Sequence, residues 1–366
     1  MTRYIHQLPN WPAFEWDQIA LAPMLAAARH RQGRLIGRME GLGFSLQKEA
    51  VLETLTLDVL KSSEIEGEFL DPKQVRSSVA RRLGMNMAGL VASDRDVEGV
   101  VEMMLDATQN FGKRLTRDRL FDWHAGLFSM GRSGMHKITV GAWRKDAKGP
   151  MQVVSGRIGY ERVHYEAPPA RRLNAEMNAF LKWVNDAEQT DLVLKAGIAH
   201  LRFVTIHPFD DGNGRIARAI TDWLLAQSEK SSKRFYSMST QIQKERETYY
   251  KILETTQKGN LDITKWLGWF LGCLDRAFDG TETALDVVFR KARFWEKNAK
   301  TALNERQRLM LNKLLNGFEG KLTSSKWAKL TKCSQDTAHR DIQDLIDHGI
   351  LVKDRAGGRS TSYSLK

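Results

Sequence analysis

The sequence predicts a mainly α-helical protein with more than one domain. Strand signals are scarce, whereas apolar residues recur at helical spacing through most of the chain, as at positions 46, 50, 52, 55, 59 and 60. The 366 residues exceed one typical domain, and 42% hydrophobic with 27% charged residues describe a soluble globular protein. We therefore expect two or three helical units.

The bulk properties limit the compartment and the partners. A formal net charge of +12 favours polyanionic partners such as nucleotide phosphates or nucleic acid, although charge alone decides little. Cys273 and Cys333 lie far apart without CxxC spacing, so we expect neither a disulfide framework nor a zinc site. The N-terminus lacks an export signal, and the longest apolar stretch, residues 266–274, is too short for a bilayer. These features predict a cytoplasmic protein without a membrane partner.

Changes in the apolar pattern divide the chain into four parts. Residues 1–110 form an N-terminal helical module, with a Gly-rich break near Gly33 to Gly43. Residues 111–280 form a core in which glycines and β-branched residues predict a β-hairpin near residues 149–169. Helices then follow at residues 172–186, 192–206 and 215–226, and a helical connector is expected at 281–303. The last part, residues 304–366, reads as three helices (305–316, 324–331 and 334–348) and two strands around a Gly-rich turn.

The break between the second and third core helices reads HPFDDGNGRIAR, from His207 to Arg218. Gly212 and Gly214 flank Asn213 where a helix starts, and there backbone N–H groups and the helix dipole attract phosphate. The other polar residues supply what a nucleotide needs. Asp211 can hold Mg²⁺, Arg215 and Arg218 share one helix face and can clamp phosphates, and His207 can take a proton from an attacking hydroxyl.

This segment has two alternative interpretations. A histidine before proline, a DDGNG turn or an arginine pair is by itself usually an ordinary surface feature, but their coincidence in twelve residues favours chemistry. The glycines also match the dinucleotide-binding pattern GxGxxA. That pattern requires a preceding strand, and here the preceding residues predict a helix.

The segment resembles the Fic family signature HxFx(D/E)GNGRxxR at every defining position. The resemblance implies a helical Fic-type core, ATP with Mg²⁺ as the donor, and transfer of AMP to a Ser, Thr or Tyr hydroxyl of a protein. In that family a β-hairpin flap before the signature aligns the target chain, and residues 152–156 look like this flap. The resemblance therefore assigns ATP contacts to the flap and to the signature, at Val153, Val154, Ser155, Gly156, Asp211, Gly212, Asn213, Gly214, Arg215 and Arg218.

Two further segments look like parts of the same machinery. Tyr249, Tyr250 and Gln257 resemble the family's adenine-side contacts, and an aromatic pair packed in the core is an equally good interpretation. The helical segment SSEIEG is similar to the family's inhibitory motif (S/T)xxxE(G/N), with Ser62, Glu66 and Gly67 matching. The resemblance implies that Glu66 pairs with Arg218 and restrains the enzyme. The alternative is that Glu64, Glu66 and Glu68 are solvated residues at an acidic helix end.

Residues 304–366 look like a winged helix-turn-helix, which would complete the fold. Residues 300–366 carry 13 Lys and Arg against seven Asp and Glu. In such a unit the third helix would face a DNA groove and the turn would form the wing, through Ser334, Gln335, Thr337, Arg340, Arg355 and Arg359. Such units also dock proteins, and four aspartates on the third helix would repel phosphates.

Several functions therefore remain open at the level of sequence. The leading prediction is a protein adenylyltransferase whose partners are target proteins at the flap and the chain itself. A nucleotide-sensing DNA-binding regulator is the alternative from another class, with residues 304–366 as its contact. Within the enzyme class, related proteins use other donors, remove AMP with the help of the inhibitory glutamate, or form homodimers.

Overall fold

Helices account for most of the chain, which confirms the predicted fold class. The computed structural model describes residues 4–85, 89–147, 149–157, 160–186, 190–315, 317, 318, 320–354 and 361–366, with the backbone alone at residues 282–287. It divides into two compact units, Met1–Thr281 and Glu282–Lys366. Within the described residues, no helix has the length and apolar character needed to cross a membrane.

The first unit begins with five helices. They are α1 (Gln18–Glu40), α2 (Phe44–Ile65), α3 (Pro72–Arg82), α4 (Arg95–Gln109) and α5 (Arg117–Leu127). The break expected near Gly33 to Gly43 is confined to the last three residues of that range, because α1 continues through Gly33 and Gly37. Burial of Leu35 and Met39 on the same helix offsets the roughly 1 kcal/mol that each internal glycine costs.

Two short antiparallel hairpins follow α5. The first pairs β1 (Arg132–Ser133) with β2 (His136–Lys137), and the second pairs β3 (Gln152–Ser155) with β4 (Arg162–Glu166). The second hairpin is the one predicted from the sequence. The first was not predicted, because strands of two residues are too short to show an alternating pattern.

The core of this unit is built around one buried helix. The remaining helices are α6 (Leu173–Val184), α7 (Leu192–Ile206), α8 (Asn213–Glu229), α9 (Met238–Lys244), α10 (Arg246–Gln257) and α11 (Thr264–Lys297). Every residue of α7 after Leu192 is buried, which explains its almost continuous apolar sequence. Its C-terminus and the N-terminus of α8 meet at the HPFDDGNG segment. The core thus fixes both ends of the predicted active loop.

The second unit contains α12 (Glu305–Leu315), α13 (Ser324–Thr331), α14 (Gln335–Asp347) and the antiparallel strands β5 (Leu351–Lys353) and β6 (Tyr363–Leu365). Met310, Trp327, Ile342 and Leu345 are fully buried in its own apolar core. This order of elements agrees with the predicted one, and the winged-helix class itself stays a prediction. The predicted wing residues Arg355 and Arg359 lie outside the described residues.

Candidate active site

The loop between α7 and α8 has a backbone that few sequences could adopt. His207 ends α7 in the left-handed region (φ 52°), and Gly212 precedes α8 with φ 81°. A Cβ at Gly212 would lie 2.8 Å from the Phe128 ring, so the position requires glycine on both counts. The Asn213 amide accepts from the Phe209 N–H (3.0 Å) and donates to its carbonyl (2.9 Å). The predicted phosphate-binding Asn213 therefore braces the loop.

His207 is arranged as a proton acceptor. Its Nδ1 lies 3.3 Å from the Val204 carbonyl, which can only accept, so Nδ1 carries the hydrogen and Nε2 keeps its lone pair. Burial lowers the pKa of His207 to about 4. The imidazole is therefore neutral near pH 7, as a general base must be.

The Asp211 carboxylate is held in one orientation. Its Oδ1 accepts from the Gly212 N–H at 2.6 Å, and its Oδ2 accepts from the Ser133 hydroxyl of β1. The Asp211 carbonyl accepts from His124 Nε2 at 3.2 Å, while His124 Nδ1 accepts from the Gly141 N–H, which fixes the tautomer of that histidine. Nothing in the sequence singled out Ser133 or His124, because both reach the loop across the fold.

Arg218, on α8, binds the predicted inhibitory segment. Its Nη2 donates to Glu66 Oε1 and to the Ser62 carbonyl, both at 2.8 Å, and its Nε donates to Ser62 Oγ at 2.9 Å. The Arg218 side chain is 1% exposed and that of Glu66 27%. Burial works against the charged guanidinium, but the adjacent Glu66 raises the pKa of Arg218 above its usual value. The two predicted partners are thus together in a largely desolvated ion pair.

The Glu66 carboxylate also covers the start of α8. A Cβ built on Gly214 would overlap Glu66 Oε1 and lie 3.2 Å from Arg218 Nη1. The first turn of a helix attracts anions through its free N–H groups and its dipole. An acidic side chain of this chain therefore lies where the sequence predicted phosphate.

A second acid of the same segment binds the other arginine of the loop. Glu68 Oε2 accepts from Arg215 Nη1, and the Arg215 guanidinium lies 5.0 Å from the Phe128 ring centroid. Burial raises the pKa of Glu68, although the neighbouring Arg215 acts in the opposite direction. Both residues border a cavity of about 480 Å³ that reaches Ser133. From the sequence alone, Glu68 was expected only as a solvated residue of an acidic helix end.

A turn at Gly67 places both Glu66 and Glu68 against α8. α2 ends at Ile65, and the N–H groups of Gly67 and Glu68 donate back to the carbonyls of Glu64 and Ser63, each at 3.0 Å. Gly67 has φ 84°, as this type of helix ending requires. The predicted Gly67 therefore shapes the turn that carries Glu66 and Glu68.

The predicted adenine-side residues separate into two groups. Tyr249 is 2% exposed, with its hydroxyl 2.9 Å from His200 Nε2, and buried Gln257 donates to Thr205 Oγ1 at 3.2 Å. These two are buried core residues in this arrangement, and their contact with the adenine base stays a prediction. Tyr250 is partly exposed and donates to the Ile65 carbonyl at 3.3 Å, beside the inhibitory segment. An aromatic pair gave no signal to distinguish the buried ring from the accessible one.

The flap exposes the predicted residues. Val153, Val154, Ser155 and Gly156 are all exposed, and β4 is the strand that pairs with β3 among the residues described. Ser155 Oγ lies 2.6 Å from His164 Nε2 of the opposite strand. An unpaired strand edge of this kind can accept an extended peptide through main-chain hydrogen bonds.

Residues 114–225, which include this loop and the flap, match the Fic/DOC family. Residues 114–225 therefore form a domain of the Fic/DOC type. The matched range runs from α5 to α8 and thus contains the whole Fic signature. Residues 4–85 match a second family, described as a domain of unknown function (DUF4172), and that range contains Ser62, Glu66 and Gly67.

Named Fic relatives are similar over part of their length. The chain is 25% identical over 238 residues to the protein adenylyltransferase Fic of Nematostella vectensis, covering 63% of this chain and 50% of that protein. It is 34% identical over 110 residues to the protein of the same name from Culex quinquefasciatus, covering 29% of this chain and 20% of that one. The match thus spans about half the length of the first relative and a fifth of the second.

The Fic fold is shared with a solved structure. A Fic family protein from Desulfovibrio desulfuricans superimposes with a TM-score of 0.55 at 19% identity, covering 94% of this chain and 96% of that one. At this identity the likeness concerns the fold. The comparison agrees with a helical Fic core carrying short hairpins.

Proposed function

We propose that this Fic protein transfers AMP from ATP to a Ser, Thr or Tyr hydroxyl of proteins, including itself, and that Glu66 restrains the reaction. The observation that carries the proposal is the loop from His207 to Arg218, in which a neutral imidazole at the end of α7 is followed six residues later by the start of α8 with its two arginines. The names of the relatives from Nematostella and Culex support the same activity.

The proposed step is a displacement at the α-phosphorus. The acceptor oxygen forms a bond to that phosphorus while His207 Nε2 takes the hydroxyl proton. The bond to the oxygen bridging the α- and β-phosphorus atoms breaks, and pyrophosphate leaves with the bonding electron pair. Arg215, Arg218 and the N-terminus of α8 stabilise the negative charge on the phosphates.

Asp211 is the residue that would hold Mg²⁺. The described residues contain no cluster of three or more His, Cys, Asp or Glu side chains suited to a metal. This donor set fits Mg²⁺, which in nucleotide sites is bound by one or two carboxylates together with substrate phosphates and water. When bound, Mg²⁺ neutralises part of the phosphate charge. Ser133 and the Gly212 N–H keep the carboxylate in one orientation for that role.

The proposed restraint is competition for the same groups. Glu66 takes one Arg218 N–H and covers Gly214, so the guanidinium and the start of α8 are less available to phosphate. Removing the carboxylate should free both. The exposed edge of β3 is the proposed contact for target proteins, because backbone pairing aligns a chain without demanding a particular side chain.

The test compares four proteins incubated with ATP and Mg²⁺: wild type, Glu66→Gly, Glu66→Gly/His207→Ala and Glu64→Gly. Glu64→Gly is the matched control, since it places glycine two residues earlier, in the last turn of α2, and removes an acid that pairs with Lys61. Intact mass should show AMP addition in Glu66→Gly, little in wild type and Glu64→Gly, and none in the double variant. Nucleotide binding should persist in the double variant, because His207 acts on the acceptor.

Each result that differs from these expectations points to a different conclusion. If Glu66→Gly gains no mass with ATP but gains mass with another nucleoside triphosphate, the donor is that nucleotide and not ATP. Loss of AMP from a pre-modified protein that requires Glu66 would indicate removal of AMP as the main reaction. Transfer that survives His207→Ala would exclude this histidine as the base.

A DNA-binding regulator is the second candidate, and one observation favours it. Two of the α14 aspartates face α12: Asp341 accepts from Arg306 (2.7 Å) and Asn304 (2.8 Å), and Asp344 accepts from Gln307 (2.7 Å). Arg306 therefore neutralises the charge of Asp341, while Gln335 and Arg340 of the same helix stay exposed. A salt-sensitive gel shift with duplex DNA, and no nucleotide transfer by Glu66→Gly, would select this function.

A further inference from the structure

We propose that Arg144 is a positioning residue that fixes the general base, His207, relative to the flap. The inference rests on the proposed function, because it concerns how an acceptor hydroxyl aligned by the flap meets His207. Arg144 lies between the two hairpins and the signature loop, and its side chain is 1% exposed. No sequence motif singled out Arg144.

Arg144 binds the backbone at His207 through its Nε and its main-chain N–H. Its Nε donates to the His207 carbonyl at 2.7 Å, and its main-chain N–H donates to the Pro208 carbonyl at 2.9 Å. His207 has a positive φ, a conformation that costs a non-glycine residue roughly 1–2 kcal/mol. These two bonds stabilise that conformation and with it the direction of the imidazole.

The other side of the guanidinium holds the chain that leaves the flap. Nη2 donates to the Pro168 carbonyl at 2.5 Å, and Nη1 donates to Asp146 Oδ1 at 2.6 Å. Asp146 Oδ2 in turn accepts from the Ala170 N–H at 2.5 Å. The residues directly after β4 are therefore bound to the same guanidinium as the His207 carbonyl.

A second contact makes the connection between flap and base rigid. The Tyr165 hydroxyl, in β4, donates to the Thr205 carbonyl in the last turn of α7 at 2.6 Å. The same hydroxyl lies 3.0 Å from His6 Nδ1. β4 is thus fixed to the end of α7 at Tyr165 and, through Arg144, at Pro168. Of these contacts, those of Arg144 reach the His207 backbone itself.

The shape of the guanidinium explains the need for arginine. Three of its N–H groups point in different directions in one plane, toward His207, Asp146 and Pro168. A lysine ammonium retains the charge but cannot reproduce this fixed fork. The positive charge also acts with burial, the larger cause, to keep the pKa of His207 low.

The test uses the full chain with Glu66→Gly as the active background and adds Arg144→Lys or Arg144→Met. The control is Arg119→Met, because the Arg119 guanidinium likewise binds one carboxylate, that of Asp106, together with backbone carbonyls, here those of Asp106, Asn110 and Lys113. Initial rates of self-modification across pH, ATP affinity and thermal unfolding are measured for each protein.

Arg144→Met should lower the rate about a hundredfold, as expected for a misplaced base, while ATP affinity changes less than about threefold. The acid limb of its pH–rate profile should move toward higher pH, because loss of the nearby positive charge raises the pKa of His207. Arg144→Lys should return the acid limb of the pH–rate profile to its position in the Glu66→Gly background, but should recover only part of the rate. Arg119→Met should lose comparable thermal stability and keep its rate within about threefold of the background.

Poor folding of Arg144→Met does not end the test, since Arg144→Ala offers a cavity that free guanidinium ion can fill, and millimolar guanidinium should then restore part of the rate. Three results would overturn the inference: a rate in Arg144→Met close to the background, an equal loss in Arg119→Met, or a loss matching only the unfolded fraction. If Glu66→Gly itself transfers no AMP, the proposed function fails first and the inference falls with it.

Discussion

Glu68 binds Arg215 two residues beyond the point where Glu66 binds Arg218. Both arginines of the Fic signature therefore have an acidic partner from the segment that ends α2. The turn at Gly67 brings the two carboxylates to the same end of α8. The restraint proposed for Glu66 thus has a second contact, between Glu68 and Arg215, which lies outside the inhibitory motif.

Replacing Glu68 should strengthen nucleotide binding. Glu68→Gln keeps the size of the side chain but removes the negative charge that pairs with Arg215. The Glu68 side chain is 44% exposed, so the pair contributes at most about 1 kcal/mol. We expect ATP affinity to rise up to about fivefold, both in wild type and on top of Glu66→Gly. Calorimetric titration checks this, with Glu64→Gln as control. Unchanged affinity in both backgrounds would remove Glu68 from the restraint.

The Gly67 turn should be needed for the restraint. A Cβ at Gly67 would meet no atom within 4 Å, so Gly67→Ala adds only the backbone cost of φ 84°, roughly 1–2 kcal/mol. We expect lower stability and higher self-modification than in wild type, because the turn that presents both acids is disfavoured. Gly43→Ala is the control, since that site is also open but has φ −60°. Equal effects of the two substitutions would contradict the prediction.

The crossing of α4 and α5 should not tolerate a methyl group. A Cβ on Gly99 would overlap the Gly126 carbonyl, which belongs to the backbone and cannot turn away. We expect Gly99→Ala to lower the free energy of unfolding by roughly 1–3 kcal/mol. Gly33→Ala, on an open face of α1, should instead raise it by up to about 1 kcal/mol. Chemical denaturation measures both, and similar values for the two variants would refute the packing argument.

Acid should destabilise the protein through His200. Burial lowers the pKa of this histidine to about 3, and its two nitrogens lie 2.9 Å from Thr221 Oγ1 and the Tyr249 hydroxyl. From pH 6.5 down to about 3 the unfolded chain binds a proton that the folded chain does not, so stability falls as pH falls.

The slope attributable to His200 approaches about 1.4 kcal/mol per pH unit. His200→Gln should be less stable at neutral pH but should lose less stability between pH 6.5 and 4. Urea unfolding at several pH values compares the slopes. Parallel slopes for the two proteins would show that another group takes up the proton.

The sequence by itself determined the helical class, the exposed hairpin and the loop between α7 and α8. The histidine, the glycines and both arginines of the loop lie within twelve consecutive residues, and their backbone demands are local, so one sequence suffices to predict them. The pairing of Glu66 with Arg218 could be predicted for a similar reason, because Ser62, Glu66 and Gly67 lie at fixed positions along the end of one helix.

The tertiary structure decided which other side chains reach that loop. Arg144, Ser133 and Glu68 contact it from other elements of the chain, and such contacts depend on how helices and hairpins pack, which no local pattern encodes. Packing also decided that Tyr249 is buried while its neighbour Tyr250 stays accessible, because adjacent residues on a helix point in different directions. The chemistry of the loop is thus a local property of the sequence, whereas its positioning and restraint depend on long-range packing.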